Sequence, residues 1–142
     1  MLLHVRRVRG LHPVSTRWLL VATAALAAAA CAARPVRRVA VVGESMLPTL
    51  RPGDRVLAVR PTRPRRGDLV VVRDPRQPDR LLVKRVATVG AGGVVVLGDS
   101  PRSSTDSRTF GPVTTVRGRV VYRYAPSGRA GRLPRGRDPQ TG

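Results

Sequence analysis

The chain has 142 residues, 42% of them hydrophobic and 25% charged, which is room for one domain of ordinary size with tails. Its 27 basic side chains outnumber 8 acidic ones for a formal net charge of +19, and all the basic ones are arginine except Lys84. The histidines are His4 and His12 and the one cysteine is Cys31, so the chain beyond residue 31 can build neither a Ser-His-Asp or Cys-His site nor a His/Cys zinc site, and no internal disulfide is possible.

Such a charge invites phosphate neutralisation along a nucleic acid. It is spread, however: +5 over residues 1–36, +11 over 37–124 and +3 over 125–142. The aromatic residues are Trp18, Phe110, Tyr122 and Tyr124, too few for a stacking platform. No helix-turn-helix, zinc-finger or RNA-binding pattern is present. A nucleic-acid partner is therefore not expected, and proximity to anionic lipid head groups explains the charge as well.

Residues 1–17 read as a basic tail. Residues 18–33 carry no charge, and nine of these sixteen are alanine. They predict a transmembrane anchor, short for a hydrocarbon core of about 30 Å but helped by Arg17 and Arg34, which can snorkel, and by Trp18 at the interface. A cleaved signal peptide and a lipoprotein signal at Cys31 are alternatives. Arginines balance on the two sides of the span, so the positive-inside rule gives no orientation. Beyond residue 35, short Val/Leu-rich runs at 38–42, 55–59, 68–73, 81–89, 94–97 and 116–124 alternate with Gly, Pro and Asp turn signals. They predict a mainly β, antiparallel domain over 37–124. Residues 125–142, rich in Pro, Gly and Arg, predict a disordered basic tail.

Two segments hold chemistry. Lys84 sits in an apolar run, Leu82-Val83-Lys84-Arg85-Val86. Arginine stays protonated and cannot act as a base, whereas a desolvated lysine can. Taken alone, Lys84 fits a snorkelling edge-strand lysine at least as well. Ser45 follows a strand, beside a glycine and before a Pro-containing turn, where a hydroxyl can be exposed. Taken alone, it fits a turn or cap serine. Asp54, Asp68 and Asp99 are alternative bases in principle, but their Gly-Asp settings read as structural turns.

Together the segments are specific. Ser45-Met46-Leu47-Pro48-Thr49-Leu50, Gly67-Asp68-Leu69-Val70, Lys84-Arg85-Val86, Gly98-Asp99 and Ser104-Thr105-Asp106-Ser107-Arg108 occur in this order. The set closely resembles the type I signal peptidase family of membrane-anchored Ser-Lys endopeptidases. The resemblance implies a catalytic domain on the extracytoplasmic side of a cell membrane, cleaving signal peptides or pro-segments from exported precursors after small residues. It implies Ser45 as nucleophile, Lys84 as general base, Ser104 as a hydroxyl orienting the lysine amine, and Asp106 and Arg108 as a pair holding the loop beside the site. No metal or organic cofactor is implied. A dedicated maturation protease for one precursor, or an inactive tethered binding protein, are the rival functions.

The sequence departs from the family pattern. Gly43 stands where many bacterial members have a serine that helps hold the oxyanion. Ser100 stands where asparagine is commoner, and Gly90 is followed by Ala91 rather than Asp. Only twelve residues separate Arg85 from Gly98, so the β insertion of larger members cannot fit. This is a minimal form.

Overall fold

The computed structural model describes residues 16–32, 35–60, 63–133 and 135–136. Most of the predicted basic tail, together with Ala33 and residues 137–142, lies outside them. The chain divides into two compact units, residues 1–34 and 35–142.

In the first unit, helix α1 spans Thr16–Ala32. Its many alanines are the best helix formers, and neither Gly nor Pro interrupts it. Trp18, Leu19, Leu20, Val21 and Leu26 are all exposed. At 1.5 Å per residue α1 is roughly 26 Å long. No helix among the described residues is long and apolar enough to cross a membrane.

The second unit is an antiparallel sheet: β1 (Val36–Ala40), β2 (Arg55–Val59), β3 (Leu69–Asp74), β4 (Gln77–Gly90), β5 (Gly93–Leu97), β6 (Val116–Ala125) and β7 (Gly131–Arg132). The strand order is β1-β2-β6-β3-β4-β5, with β7 added to β6. A four-residue helix, α2 (Ser107–Phe110), follows β5. The six predicted runs are the first six strands, with ends shifted by a few residues.

Strand β3 lies between β6 and β4, and both of its faces are covered. Leu69 and Val71 pack with Val41, Met46, Leu50, Val56, Ala58, Val83 and Val120. Val70 and Val72 pack on the other side with Leu82, Val86, Val94, Val96 and Val113. Two buried faces explain an uninterrupted apolar run where a half-exposed strand would alternate.

Strand β4 changes partner along its length. Residues 81–85 pair with β3, and β5 joins only from Arg85 onward. The outer edge of β4 before Arg85 is therefore not covered by β5. Among the described residues strand β1 pairs with β2 alone and presents a second free edge.

The disordered tail expected from residue 125 does not describe residues 126–133. They form a 3-10 turn at Ser127–Arg129 and then β7, which pairs Arg132 with Tyr122 and Gly131 with Arg123. Leu133 packs on the core. Arg129 donates to Asp54 at 2.8 Å and Arg135 to Asp68 at 2.7 Å. Composition misled here because this segment is held by arginines reaching buried carboxylates more than by apolar bulk.

Candidate active site

The turn after β1 presents Ser45. Met46 and Leu50, both almost wholly buried, plug the turn into the core, and Leu50 N–H donates to the Met46 carbonyl at 2.8 Å. Ser45 is left half-buried. Its carbonyl accepts from the Ser100 N–H at 3.0 Å, which ties the turn to the end of β5. Gly43 has φ +87°, a region that side chains with a Cβ rarely adopt. In this backbone conformation a serine at position 43 would be strained, so its replacement by glycine and the shape of the turn belong together.

Lys84 lies on β4 and is 1% exposed. It shares its face of the strand with Leu82 and Val86 and pairs across the ladder with Val70. Burial lowers the pKa of the amine from its usual value near 10.5. Asp106 and Asp74 act against this shift, while Arg80 and Arg108 reinforce it.

A relay of hydrogen bonds leads away from the amine. Lys84 Nζ donates to Ser104 Oγ at 3.1 Å, and Ser104 Oγ donates to Asp106 Oδ2 at 2.6 Å. Asp106 also accepts from the Gly98 N–H at 2.9 Å, and from the Arg108 N–H, Nε and Nη2 at 3.1, 3.0 and 2.7 Å. Burial works to raise the Asp106 pKa, but these bonds outweigh it and hold the carboxyl well below its usual 3.8. Asp106 is also the N-cap of α2, so one carboxylate sets both the helix start and the Ser104 rotamer.

Ser45 and Lys84 line one cavity of about 290 Å³, together with Gly43, Glu44, Ser103 and Thr105. The structure hydrogen-bonds Lys84 to Ser104 rather than to Ser45. The five residues singled out in the sequence thus form a single neighbourhood: Ser45 and Lys84 on the cavity, Ser104 on the amine, Asp106 and Arg108 behind it. Asp54 and Asp68 close turns by accepting from the backbone N–H groups of Arg51 and Arg65, each at 2.9 Å.

Sequence reasoning missed the support on the other side of β4. Arg85 is buried and donates through Nε and Nη2 to Asp99, both at 2.7 Å, and through Nη1 to the Gly67 carbonyl at 2.9 Å. Thr49, in the Ser45 turn, donates to the same Asp99 at 2.6 Å. Asp99 is therefore one half of a buried ion pair as well as part of a turn. Gly98 was also missed as a site residue. A Cβ there would stand 2.6 Å from the Ser45 carbonyl oxygen and closer still to Ser104 Oγ, so only glycine lets these two residues approach. The Lys-Arg and Gly-Asp pairs were the visible signals, but their mutual contact is long-range.

Comparison with known proteins gives the family of the chain. Residues 15–91, more than half of the chain, match the family model described as signal peptidase, peptidase S26. The mitochondrial ATP-independent inner membrane protease subunit 1b of Arabidopsis thaliana is 37% identical over 113 residues, covering 59% of this chain and 67% of the relative. The mitochondrial inner membrane protease subunit 2 of Schizosaccharomyces pombe is 35% identical over 120 residues, covering 66% and 67%. Human mitochondrial inner membrane protease subunit 1 is 31% identical over 110 residues, covering 59% and 66%. The matched region holds the Ser45 turn, β3 and the Lys84 strand, and on that footing the chain belongs to the signal peptidase family, peptidase S26.

Proposed function

We propose that this chain is a serine endopeptidase that uses Ser45 and Lys84 to cut signal peptides or pro-segments from precursor proteins at a membrane. The observation that carries the reading is the chain's single lysine, buried in an apolar face and opening on the same cavity as Ser45. The relatives' names, all inner membrane protease subunits, support a membrane setting.

The relay assigns the protons. Ser104 gives its own hydrogen to Asp106, so toward Lys84 it can only accept. A neutral Lys84 spends one N–H on Ser104 and keeps its lone pair for another donor. In the proposed reaction that donor is Ser45 Oγ. As Oγ attacks the substrate carbonyl carbon, its proton passes to Lys84 Nζ, and the Ser45 N–H is the proposed oxyanion donor. The ammonium then returns the proton to the departing amine as the C–N bond breaks, leaving an acyl-enzyme. Water, deprotonated by the regenerated amine, adds to the ester and releases Ser45. This is the logic of the Ser-His-Asp triad with lysine as the base.

The free edge of β1 and the outer edge of β4 before Arg85 both border the cavity, through residues 39–42 and 80–83. An extended substrate fits there as an added strand. Small side chains beside the cleaved bond are part of the same proposal. Helix α1 is the proposed anchor, with the β unit on the extracytoplasmic side; the helix's 17 residues fall short of a full crossing, and the proposal needs snorkelling of Arg17 and Arg34 to make up the difference. Its exposed apolar surface supports this, and Arg17 and Trp18 at its start suit an interface. The test is cleavage of a precursor whose signal ends in Ala-X-Ala by the purified full chain. Ser45→Ala should abolish turnover without unfolding the protein. Retained turnover in that variant would overturn the assignment.

A further inference from the structure

Most arginines that lie near a carboxylate in this domain are paired with it: Arg76 with Asp74, Arg85 with Asp99, Arg108 with Asp106, Arg123 and Arg129 with Asp54, and Arg135 with Asp68. Three others gather where, among the described residues, no acid stands. Arg37 lies on β1, Arg60 directly follows β2, and Arg117 lies on β6; these strands are neighbours in the sheet. Val36 pairs with Val59 and Val59 with Arg119, which puts all three arginines at one end of the sheet. They line a cavity of about 130 Å³ with Pro35, Thr115 and Val116.

Arg117 is placed there by a defect in the ladder. Pairing between β3 and β6 jumps from Val71–Gly118 to Val72–Val116, so Arg117 is the extra residue of a β-bulge. Bulges bend a strand and re-aim a side chain. The result is costly: Arg117 Nε is the one buried side-chain donor without a hydrogen-bond partner among the described residues. Three cations and, among the described residues, no acid line one small concavity, which describes half of an ion pair.

We propose that this cavity binds a phosphate group, held by the Arg37, Arg60 and Arg117 guanidinium groups that line it. Its volume equals roughly four waters at ~30 Å³ each, which admits a tetrahedral oxyanion. Guanidinium forks match phosphate oxygens two at a time. The phosphate belongs either to a phospholipid head group or to a soluble phosphate compound. Only residues 33 and 34 separate Pro35 from the end of α1 in sequence. The cavity shares no residue with that of Ser45 and Lys84, so the site stands apart from the peptidase reading.

The test uses the full chain in detergent micelles and four proteins: wild type, Arg117→Gln, Arg60→Ala and the charge-matched control Arg73→Ala. Arg60 and Arg73 are exposed, so those two variants fold even where Arg117→Gln does not. One arm titrates inorganic phosphate by calorimetry. The other measures co-flotation with phosphatidylcholine vesicles, with and without phosphatidylglycerol; α1 contributes equally to all four proteins. Arg117→Gln and Arg60→Ala should weaken binding about tenfold or more while Arg73→Ala matches wild type. Loss seen with inorganic phosphate assigns a soluble phosphate ligand, and loss seen only with phosphatidylglycerol vesicles assigns the head group. Equal behaviour of all four proteins in both arms, or an equal loss in Arg73→Ala, overturns the site.

Discussion

In the proposed reaction Lys84 meets two opposed demands. The chemistry needs a neutral amine, and the burial that lowers its pKa does so by penalising the charged form. A lysine whose folded pKa lies below its unfolded one carries no penalty above about 10.5. As pH falls from there, the unfolded chain binds the proton first and the native state loses ground; below the folded pKa the loss levels off. Lys84→Met should therefore be inactive yet more stable than wild type at neutral pH, with the gap closing as pH rises toward 10.5. Urea titrations of the two proteins across this range check it, and a pH-independent gap would show that the amine is not depressed. Lys84→Arg keeps a charge that cannot be given up, so it should also be inactive. Asp106 has the other sign: its stabilisation is complete above about 3.8 and disappears as pH falls through the lower folded value. Ser104→Ala removes the acceptor that orients Nζ while leaving Asp106 its bonds to Gly98 and Arg108. It should lower kcat about ten- to a hundredfold with KM nearly unchanged, measured on the same precursor.

At the scale of elements, the end of β5 and the loop to α2 hold the site from behind. The Ser100 N–H holds the Ser45 carbonyl, the Gly98 N–H holds Asp106, and Asp99 holds Arg85 and Thr49. Gly98→Ala would force Ser104 and the Ser45 turn apart, so it should cost about 1–3 kcal/mol in chemical denaturation and remove most activity. Arg85→Met leaves a nearly buried Asp99 carboxylate with only Thr49 as a side-chain partner. A loss of about 3–5 kcal/mol is expected in the same measurement. The C-terminal segment reaches this brace too. Gly136 N–H donates to the Gly67 carbonyl at 3.2 Å, and its Cα sits against the Arg85 guanidinium with no room for a Cβ. A run of Pro, Gly and Arg thus ends as a strap over the ion pair beside the Lys84 strand.

Across the whole molecule, helix α1 and the β unit present different surfaces. The helix is bare and apolar, whereas the β unit is arginine-rich and carries the candidate site. Under the proposed anchoring, wild-type protein stays with membranes after alkaline extraction, and added protease digests the β unit on intact cells. A mature N-terminus near residue 32, or a β unit shielded from protease, would contradict that placement. Asp54, Asp68, Asp74, Asp99 and Asp106 are each held by arginine, but the net charge of +19 already subtracts these acids, so that excess stays uncompensated within the chain.

Much of this protein is determined locally and is legible in its sequence. Strand positions follow from Val/Leu runs between Gly, Pro and Asp turns, because backbone preference and apolar burial act within a few residues. The choice of Ser45 and Lys84 rests on the resemblance to the signal peptidase family, and composition agrees with it, since a chain with no late histidine or cysteine and one lysine leaves few groups for acyl transfer. Three features were decided only by the tertiary structure. The Arg85–Asp99 brace joins residues 14 apart and brings in Thr49, 36 residues before Arg85, so no local pattern announces it. Residues 126–133 and 135–136 are held in place because Arg129 and Arg135 meet Asp54 and Asp68, about 70 residues earlier in the chain, and composition cannot see a partner at that distance. The lowered pKa of the Lys84 amine comes from burial on its own face of β4, a consequence of what the fold packs there rather than of the residues beside it in sequence.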